Sequence, residues 1–130
     1  MPRILIVDDD RDLVNLIRII LEDAGFDVVC YTDPADAFTE FKSTYDLLLF
    51  DIKMPKMNGF ELYKQIVDKN NKKNHLPTKR PKVIFITAFV IEYEIMKNTF
   101  GVEDISEYPI ISKPVTPDEL VKIVNKVVNS

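Results

Sequence analysis

Short apolar runs alternate along the chain with stretches in which apolar residues recur every three or four positions. A short apolar run bounded by turn residues is typical of a strand buried on both faces, whereas the longer spacing is typical of a helix with one buried face. The strands predicted in this way are Arg3–Val7, Asp27–Tyr31, Leu47–Asp51, Lys82–Ile86 and Ile110–Ser112. Strands and helices therefore follow one another in alternation.

Residues at the ends of the periodic stretches support the helix predictions. Asp10 and Asp33 precede the first and second helices and are favourable N-cap residues, and Gly25 suits the left-handed conformation that ends the first helix. The last helix follows Thr116, and Glu119, three residues later, completes the sequence pattern of a capping box. Asp10 is therefore interpreted as a capping residue rather than a metal ligand.

The middle of the chain is less regular. Helices are predicted from Gly59 to about Asp68 and from about Ile91 to Phe100, whereas the polar segment 69–80 has no periodicity and is expected to be a solvated loop, with a partner-docking patch as the alternative. His75 has no other ligand-type residue beside it at metal-binding spacing and is not expected to bind a metal. Alternating strands and helices predict an α/β fold, a doubly wound five-stranded parallel sheet of the flavodoxin-like type.

Polar residues follow four of the predicted strands. Asp8 and Asp9 come after the first, Asp51 ends the third, Thr87 follows the fourth and Lys113 follows the last. In an open parallel sheet the carboxyl ends of the strands form the edge at which ligands bind. We therefore expect these five side chains to lie close together.

Three carboxylates at one edge would repel each other, since two like charges a few ångströms apart interact with about 1–4 kcal/mol at intermediate dielectric. A divalent cation that accepts carboxylate oxygens and keeps several waters relieves this repulsion, and Mg²⁺ fits that description. With the metal present, Asp51 is a candidate nucleophile toward phosphorus, and Thr87 and Lys113 are candidates for binding the phosphoryl oxygens.

The sequence resembles a response-regulator receiver domain of two-component signalling, similar to the chemotaxis regulators that consist of a receiver alone. The resemblance rests on the acid pair Asp8-Asp9, on Asp-x-x-Met-Pro-x-Met-x-Gly starting at Asp51, and on Thr87-Ala88 and Lys113-Pro114. These motifs occur in the family's order and cover essentially the whole chain.

The resemblance implies that Asp51 accepts a phosphoryl group from a histidine kinase or phosphotransfer protein. It also implies that Asp8, Asp9, Asp51 and the backbone carbonyl of Lys53 hold Mg²⁺, with Asp9 and Asp51 as the expected direct carboxylate ligands. The phosphorylated state would then alter binding to a downstream protein. The protein is therefore expected to be a switch and not an enzyme, beyond promoting its own phosphorylation and dephosphorylation.

Two details of the family pattern concern the last strand. The resemblance implies a cis peptide bond between Lys113 and Pro114, which proline makes accessible. The family usually carries an aromatic residue three positions before the lysine, as a switch coupled to the threonine. Ile110 occupies that position here, so the usual aromatic readout is not expected.

Length and composition set the remaining expectations. The chain has 130 residues and predicts a single receiver domain over 1–130 with no output domain, so that another protein reads the signal. The net charge of −4 argues against direct binding to nucleic acid. No apolar run reaches membrane-spanning length, and the one cysteine, Cys30, suits a reducing compartment, so a cytoplasmic protein without membrane insertion is expected.

Other classes fit the sequence less well. Aspartyl-phosphate hydrolases of the haloacid-dehalogenase family need a second aspartate two residues after the nucleophile, where this chain has Lys53. A non-phosphorylated receiver-like scaffold would be expected to lack some of the acid pair, Asp51 or Lys113, and all are present. The glycine motifs of nucleotide-binding sites are absent from a sequence with only 3 glycines.

Overall fold

The computed structural model describes residues 1–41, 44–74, 81–88 and 110–130. Its strands form one sheet and are, in chain order, β1 (Arg3–Val7), β2 (Asp27–Tyr31), β3 (Leu47–Asp51), β4 (Val83–Thr87) and β5 (Ile110–Ser112). The spatial order is β2-β1-β3-β4-β5, and every neighbouring pair is parallel. This is the order of the flavodoxin-like doubly wound fold, which confirms the predicted sheet.

The register of the sheet aligns the carboxyl ends of the central strands. Val7 at the end of β1 pairs with Phe50, and the next residue of β3, Asp51, pairs with Ile86 of β4. Thr87, the last residue of β4, pairs with Ser112 of β5. Residues that end β1, β3, β4 and β5 therefore lie along one edge of the sheet.

Helices pack on both faces of the sheet, because alternate strand residues point to opposite sides. In the described part of the chain they are α1 (Arg11–Asp23), α2 (Pro34–Thr39), α3 (Gly59–Asn74) and α4 (Pro117–Val128). One core cluster joins the sheet to α2 and α3, and the other joins it to α1 and α4. None of the helices in these residues is long and apolar enough to cross a lipid bilayer.

Two of the predicted helix starts have the expected side-chain caps. The Asp10 carboxylate accepts hydrogen bonds from the backbone N–H groups of Asp12 and Leu13, at 3.1 and 3.2 Å. Asp33 likewise accepts from the Ala35 N–H at 2.9 Å. Gly25 has a φ of 96°, as predicted for the end of the first helix.

The predicted capping box of the last helix is only partly correct. Thr116 is the N-cap residue, but its side chain makes no hydrogen bond to the helix backbone. Its hydroxyl instead lies 3.5 Å from a carboxylate oxygen of Glu119, to which it donates. The two side chains therefore contact each other rather than the backbone donors that a capping box satisfies.

The predicted loop at 69–80 is wrong in its first half, because α3 continues to Asn74. Lysine is a good helix former, and the side chain of Lys69 has a tertiary partner. Its ammonium donates to the Phe38 carbonyl at 3.0 Å and lies 4.8 Å from the centre of the Phe38 ring. Residues 75–80, with His75, and the helix predicted at 91–100 lie outside the described residues.

Candidate functional site

Buried polar side chains mark the carboxyl edge of the sheet. In the described part of the chain, the polar or charged residues that are buried are Asp8, Asp51 and Thr87, with 0%, 4% and 3% exposure. Asp8 follows β1 directly, and the other two residues end β3 and β4. A buried carboxylate is unfavourable unless it is paired, bound to a metal or hydrogen-bonded. A cation at this edge of the sheet would therefore stabilise the two buried carboxylates.

Lys113 supplies one positive charge. Its Nζ atom lies 3.3 Å from Oδ2 of Asp8 and 3.3 Å from Oδ1 of Asp51, so a single ammonium bridges the two carboxylates. The backbone N–H of Lys113 donates to the Thr87 carbonyl at 2.9 Å, which ties the end of β5 to the end of β4. The peptide bond between Lys113 and Pro114 is cis, as predicted.

The three carboxylates of the predicted metal site lie together. One oxygen each from Asp8, Asp9 and Asp51 lies within 4.8 Å of the others, and Asp9 is exposed to solvent. Oδ1 of Asp8 accepts a hydrogen bond from the Asp10 N–H at 3.0 Å. Oδ2 of Asp8 is buried and makes no well-aligned hydrogen bond, and the Lys113 ammonium, 3.3 Å away, forms an ion pair with it.

The electrostatics of the cluster follow from burial and from this charge arrangement. Burial, repulsion by Asp8 and, less strongly, repulsion by Asp9 raise the pKa of Asp51 to about 7, although Lys113 opposes the shift. Burial also raises the pKa of Asp8, against the Asp10 N–H and Lys113. Burial lowers the pKa of Lys113, but the attraction of Asp8 and Asp51 outweighs it and the net shift is upward. Lys113 therefore stays charged while Asp51 titrates near neutral pH.

The loop after β3 packs closely against Asp51. The Gly59 N–H donates to the Ile52 carbonyl at 2.9 Å. A Cβ atom at Gly59 would collide with the Asp51 carbonyl oxygen and would lie 3.2 Å from the Asp51 carbonyl carbon. Glycine at this position is therefore required by the close approach of two backbone segments.

Sequence reasoning missed the cap of α3. The side-chain oxygen of Asn58 accepts a hydrogen bond from the Glu61 N–H at 2.9 Å, the geometry of an N-cap. The sequence does carry a signal for this cap, because Asn58 directly precedes the predicted helix start at Gly59 and asparagine is a favourable N-cap residue.

The structure brings four of the predicted site residues into one cluster, and places the other two beside it. Asp8, Asp9, Asp51 and Lys113 lie within ion-pair or ligand-sharing distance. Thr87 is buried at the end of β4, and Lys53 is exposed in the loop after Asp51.

Ile110, which occupies the position of the family's aromatic switch, lies beside Phe85 on the neighbouring strand. It is half-buried and packs against the cluster that contains the α2 and α3 side chains. Ile110 has no aromatic ring whose rotation could follow Thr87. In addition, its β-branched side chain has little freedom about χ1.

Comparison with known proteins gives a consistent result. A family model described as the response regulator receiver domain matches residues 4–125. The response regulator SaeR of Staphylococcus aureus strain USA300 is 30% identical over 126 residues, which are 96% of this chain and 50% of SaeR.

Two solved structures share the fold over nearly their whole length. A CheY-like receiver domain protein from Methanospirillum hungatei JF-1 has 27% identity and a TM-score of 0.77, with 99% of this chain and 94% of that chain covered. The chemotaxis protein CheY4 of Vibrio cholerae has 26% identity and a TM-score of 0.77, with 98% of each chain covered. The chain spans about half the length of the curated relatives it matches. It belongs to the response regulator receiver domain family of two-component systems, whose members are phosphoacceptor switches.

Proposed function

We propose that Asp51 is the phosphoacceptor of this chain and that a histidine kinase or a phosphotransfer protein is its phosphodonor. The observation that carries the proposal is the convergence of Asp8, Asp51 and Lys113 at the carboxyl edge of the sheet, with two contacts of 3.3 Å. Asp51 ends the central strand and faces this edge, where an incoming phosphoryl group meets both an ammonium and a cation-binding cluster.

The chemistry is a nucleophilic displacement at phosphorus. A carboxylate oxygen of Asp51 forms a new bond to phosphorus, and the phosphorus–nitrogen bond of the donor phosphohistidine breaks. The electron pair of that bond goes to the imidazole nitrogen, which is reprotonated from solvent. Because the pKa of Asp51 is about 7, much of the residue is ionised at neutral pH and able to attack.

Thr87 and Lys113 are proposed to bind the phosphoryl oxygens. Lys113 already contacts Asp51 Oδ1, so its ammonium needs little movement to pair with a phosphoryl oxygen attached there. Thr87 ends the strand next to Asp51, and its buried hydroxyl is a hydrogen-bond donor at the same edge.

Asp8, Asp9, Asp51 and the backbone carbonyl of Lys53 are proposed to hold Mg²⁺, and the three carboxylates fit such a site. The fit rests on the three converging carboxylates and on Asp8 Oδ2, a buried acceptor with no aligned hydrogen bond. Oxygen donors of this kind, with waters completing the shell, are what Mg²⁺ prefers. When bound, the ion would neutralise the cluster and stabilise negative charge on the transferred phosphoryl group.

The output is proposed to be a change in binding to a downstream protein. The phosphoryl group adds negative charge beside Thr87 and Lys113, and a change in their contacts can spread along β4 and β5. The domain itself is proposed to act in the cytoplasm, without binding nucleic acid or inserting into membrane, and to promote no reaction beyond its own phosphorylation and dephosphorylation. The net charge of −4 and the single cysteine support this part of the proposal.

Intact-protein mass spectrometry after incubation with acetyl phosphate and Mg²⁺ tests the assignment of Asp51. The wild-type protein should gain one phosphoryl group, and Asp51→Asn should gain none, because an amide cannot form the acyl phosphate. Asp23→Asn, an exposed position at the far end of α1, is the matched control and should be labelled like the wild type. Labelling of Asp51→Asn would contradict the proposal.

A further inference from the structure

The loop between β3 and α3 contains a strained turn. Lys56 has a φ of 70°, and among the described residues it is the non-glycine residue with a positive φ. The Met57 N–H donates to the Pro55 carbonyl at 2.8 Å, which makes Lys56 the central residue of a γ-turn. The form of this turn with positive φ is rare and strained.

The neighbours of Lys56 explain why the chain turns so tightly. Met54 is buried, and Met57 is half-buried and packs against the same core cluster. Only Pro55 and Lys56 lie between these two anchored side chains, and the proline ring restricts its own φ to about −65°. The reversal of direction therefore falls on Lys56.

The base of the same loop is closed. The Gly59 N–H donates to the Ile52 carbonyl at 2.9 Å, and Ile52 is fully buried. Lys53 lies between buried Ile52 and buried Met54, with its own side chain exposed. The turn at Lys56 therefore lies inside a closed loop, three residues after Lys53.

We propose that Lys56 is a positioning residue, whose strained turn holds the backbone of Lys53 in place relative to Asp51 so that the Lys53 carbonyl is preorganised to bind Mg²⁺. The inference rests on the Mg²⁺ site proposed above. Strain of this kind persists only where the surrounding structure enforces it, and here it fixes a segment two residues beyond the phosphoacceptor. A ligand held in its binding conformation loses less entropy when the metal binds.

Comparison of Lys56→Gly with Lys56→Ala tests the role of the turn. Both variants remove the ammonium, and they differ only in the Cβ atom that makes positive φ unfavourable. Lys56→Gly should unfold at a higher urea concentration than Lys56→Ala in EDTA, because glycine relieves the strain. It should nevertheless bind Mg²⁺ more weakly, by roughly threefold to tenfold, a smaller change than the loss of an outer-shell partner causes.

Mg²⁺ affinity is measured by NMR titration, and amide hydrogen exchange at Gly59 reports whether the base of the loop is closed. Higher stability together with weaker Mg²⁺ binding and a protected Gly59 amide supports positioning, since a purely structural residue would move both quantities in the same direction. Equal Mg²⁺ affinities in the two variants, or loss of Gly59 protection in Lys56→Gly, would overturn it. If the wild type shows no saturable Mg²⁺ binding, or if Asp9→Asn binds as well as the wild type, the metal site itself is wrong and the inference fails with it.

Discussion

The Nζ atom of Lys113 lies 3.3 Å from Oδ2 of Asp8, a fully buried carboxylate oxygen with no aligned hydrogen bond. The same ammonium contacts Asp51, so it occupies a position between two of the three carboxylates proposed to bind Mg²⁺. An ammonium in this position neutralises part of the cluster and also repels an incoming cation. Lys113 is therefore expected to oppose metal binding, although it favours binding of the phosphoryl group.

Replacement of Lys113 by methionine should separate these two effects. Lys113→Met keeps an unbranched side chain of similar length but removes the charge. The affinity for Mg²⁺ at pH 8 should therefore rise by about tenfold, which corresponds to about 1.4 kcal/mol. A change of this size is expected when the repulsion between two charges at short range and intermediate dielectric is removed. Labelling by acetyl phosphate should fall at the same time, because the phosphoryl oxygens lose their cationic partner.

NMR titration with Mg²⁺ and intact-protein mass spectrometry measure the two quantities. Lys122→Met, at an exposed position on α4, is the charge-matched control and should change neither. Unchanged or weaker Mg²⁺ binding by Lys113→Met would show that the ammonium does not compete with the metal.

The free energy of unfolding without metal should depend on pH through Asp51. The folded protein raises the pKa of this carboxyl from 3.8 to about 7, mainly by burial. The protonated form is therefore favoured by folding, and the stability that it contributes is present below pH 4 and lost as the pH rises through 7. Asp51→Asn cannot ionise, so in EDTA it should be more stable than the wild type at pH 8, by about 1–3 kcal/mol.

Urea unfolding at pH 5 and pH 8 checks this prediction. The advantage of Asp51→Asn should be much smaller at pH 5, where most of the wild-type residue is protonated. Asp36→Asn, in the exposed first turn of α2, should show no such difference between the two pH values. An equal gain at both pH values would mean that the amide stabilises the fold for another reason.

The two glycines with structural roles should respond differently to alanine. At Gly59 the new Cβ would meet backbone atoms of Asp51 and Ile52, which cannot move aside cheaply. Gly59→Ala should therefore lose about 2–4 kcal/mol of stability and most of its labelling by acetyl phosphate.

Gly25→Ala is the matched control, because its Cβ would meet nothing within 4 Å but the residue has a φ of 96°. It should lose only about 1 kcal/mol from backbone strain and keep wild-type labelling. Urea unfolding and intact-protein mass spectrometry distinguish the two variants. Equal loss of labelling in both would show that the close contact at Gly59 is not specifically required for phosphorylation of Asp51.

The sheet and most of the site could be predicted from the sequence, because both depend on short local patterns. The buried run Leu47–Asp51 identifies a central strand, and a parallel sheet places the ends of its strands at one edge. The convergence of Asp8, Asp51 and Lys113 follows from that geometry, although they are far apart in the chain.

The remaining features depend on tertiary contacts that no local pattern encodes. The helix α3 extends beyond its predicted end, and the Lys69 ammonium in this extension donates to the Phe38 carbonyl, 31 residues away. The strained turn at Lys56 results from the burial of Met54 and Met57 on either side, and lysine carries no signal for positive φ.

The thiol of Cys30 should react slowly in the folded protein. It is half-buried, and it packs against the cluster that contains the α1 and α4 side chains. Burial raises its pKa from 9.0 to about 11, and Glu22 adds to the shift while Arg18 opposes it. Because the thiolate is the reactive form, a rise of this size lowers its population at pH 8 by roughly 100-fold.

Alkylation by iodoacetamide at pH 8, followed by intact mass, measures this directly, because the chain has one cysteine. The native protein should react roughly 100-fold more slowly than the same protein unfolded in urea, in which the thiol has its ordinary pKa. Arg18→Met should slow the reaction further, since it removes a positive charge that favours the thiolate. Native reaction as fast as that of the unfolded chain would mean that the thiol is accessible and has its ordinary pKa.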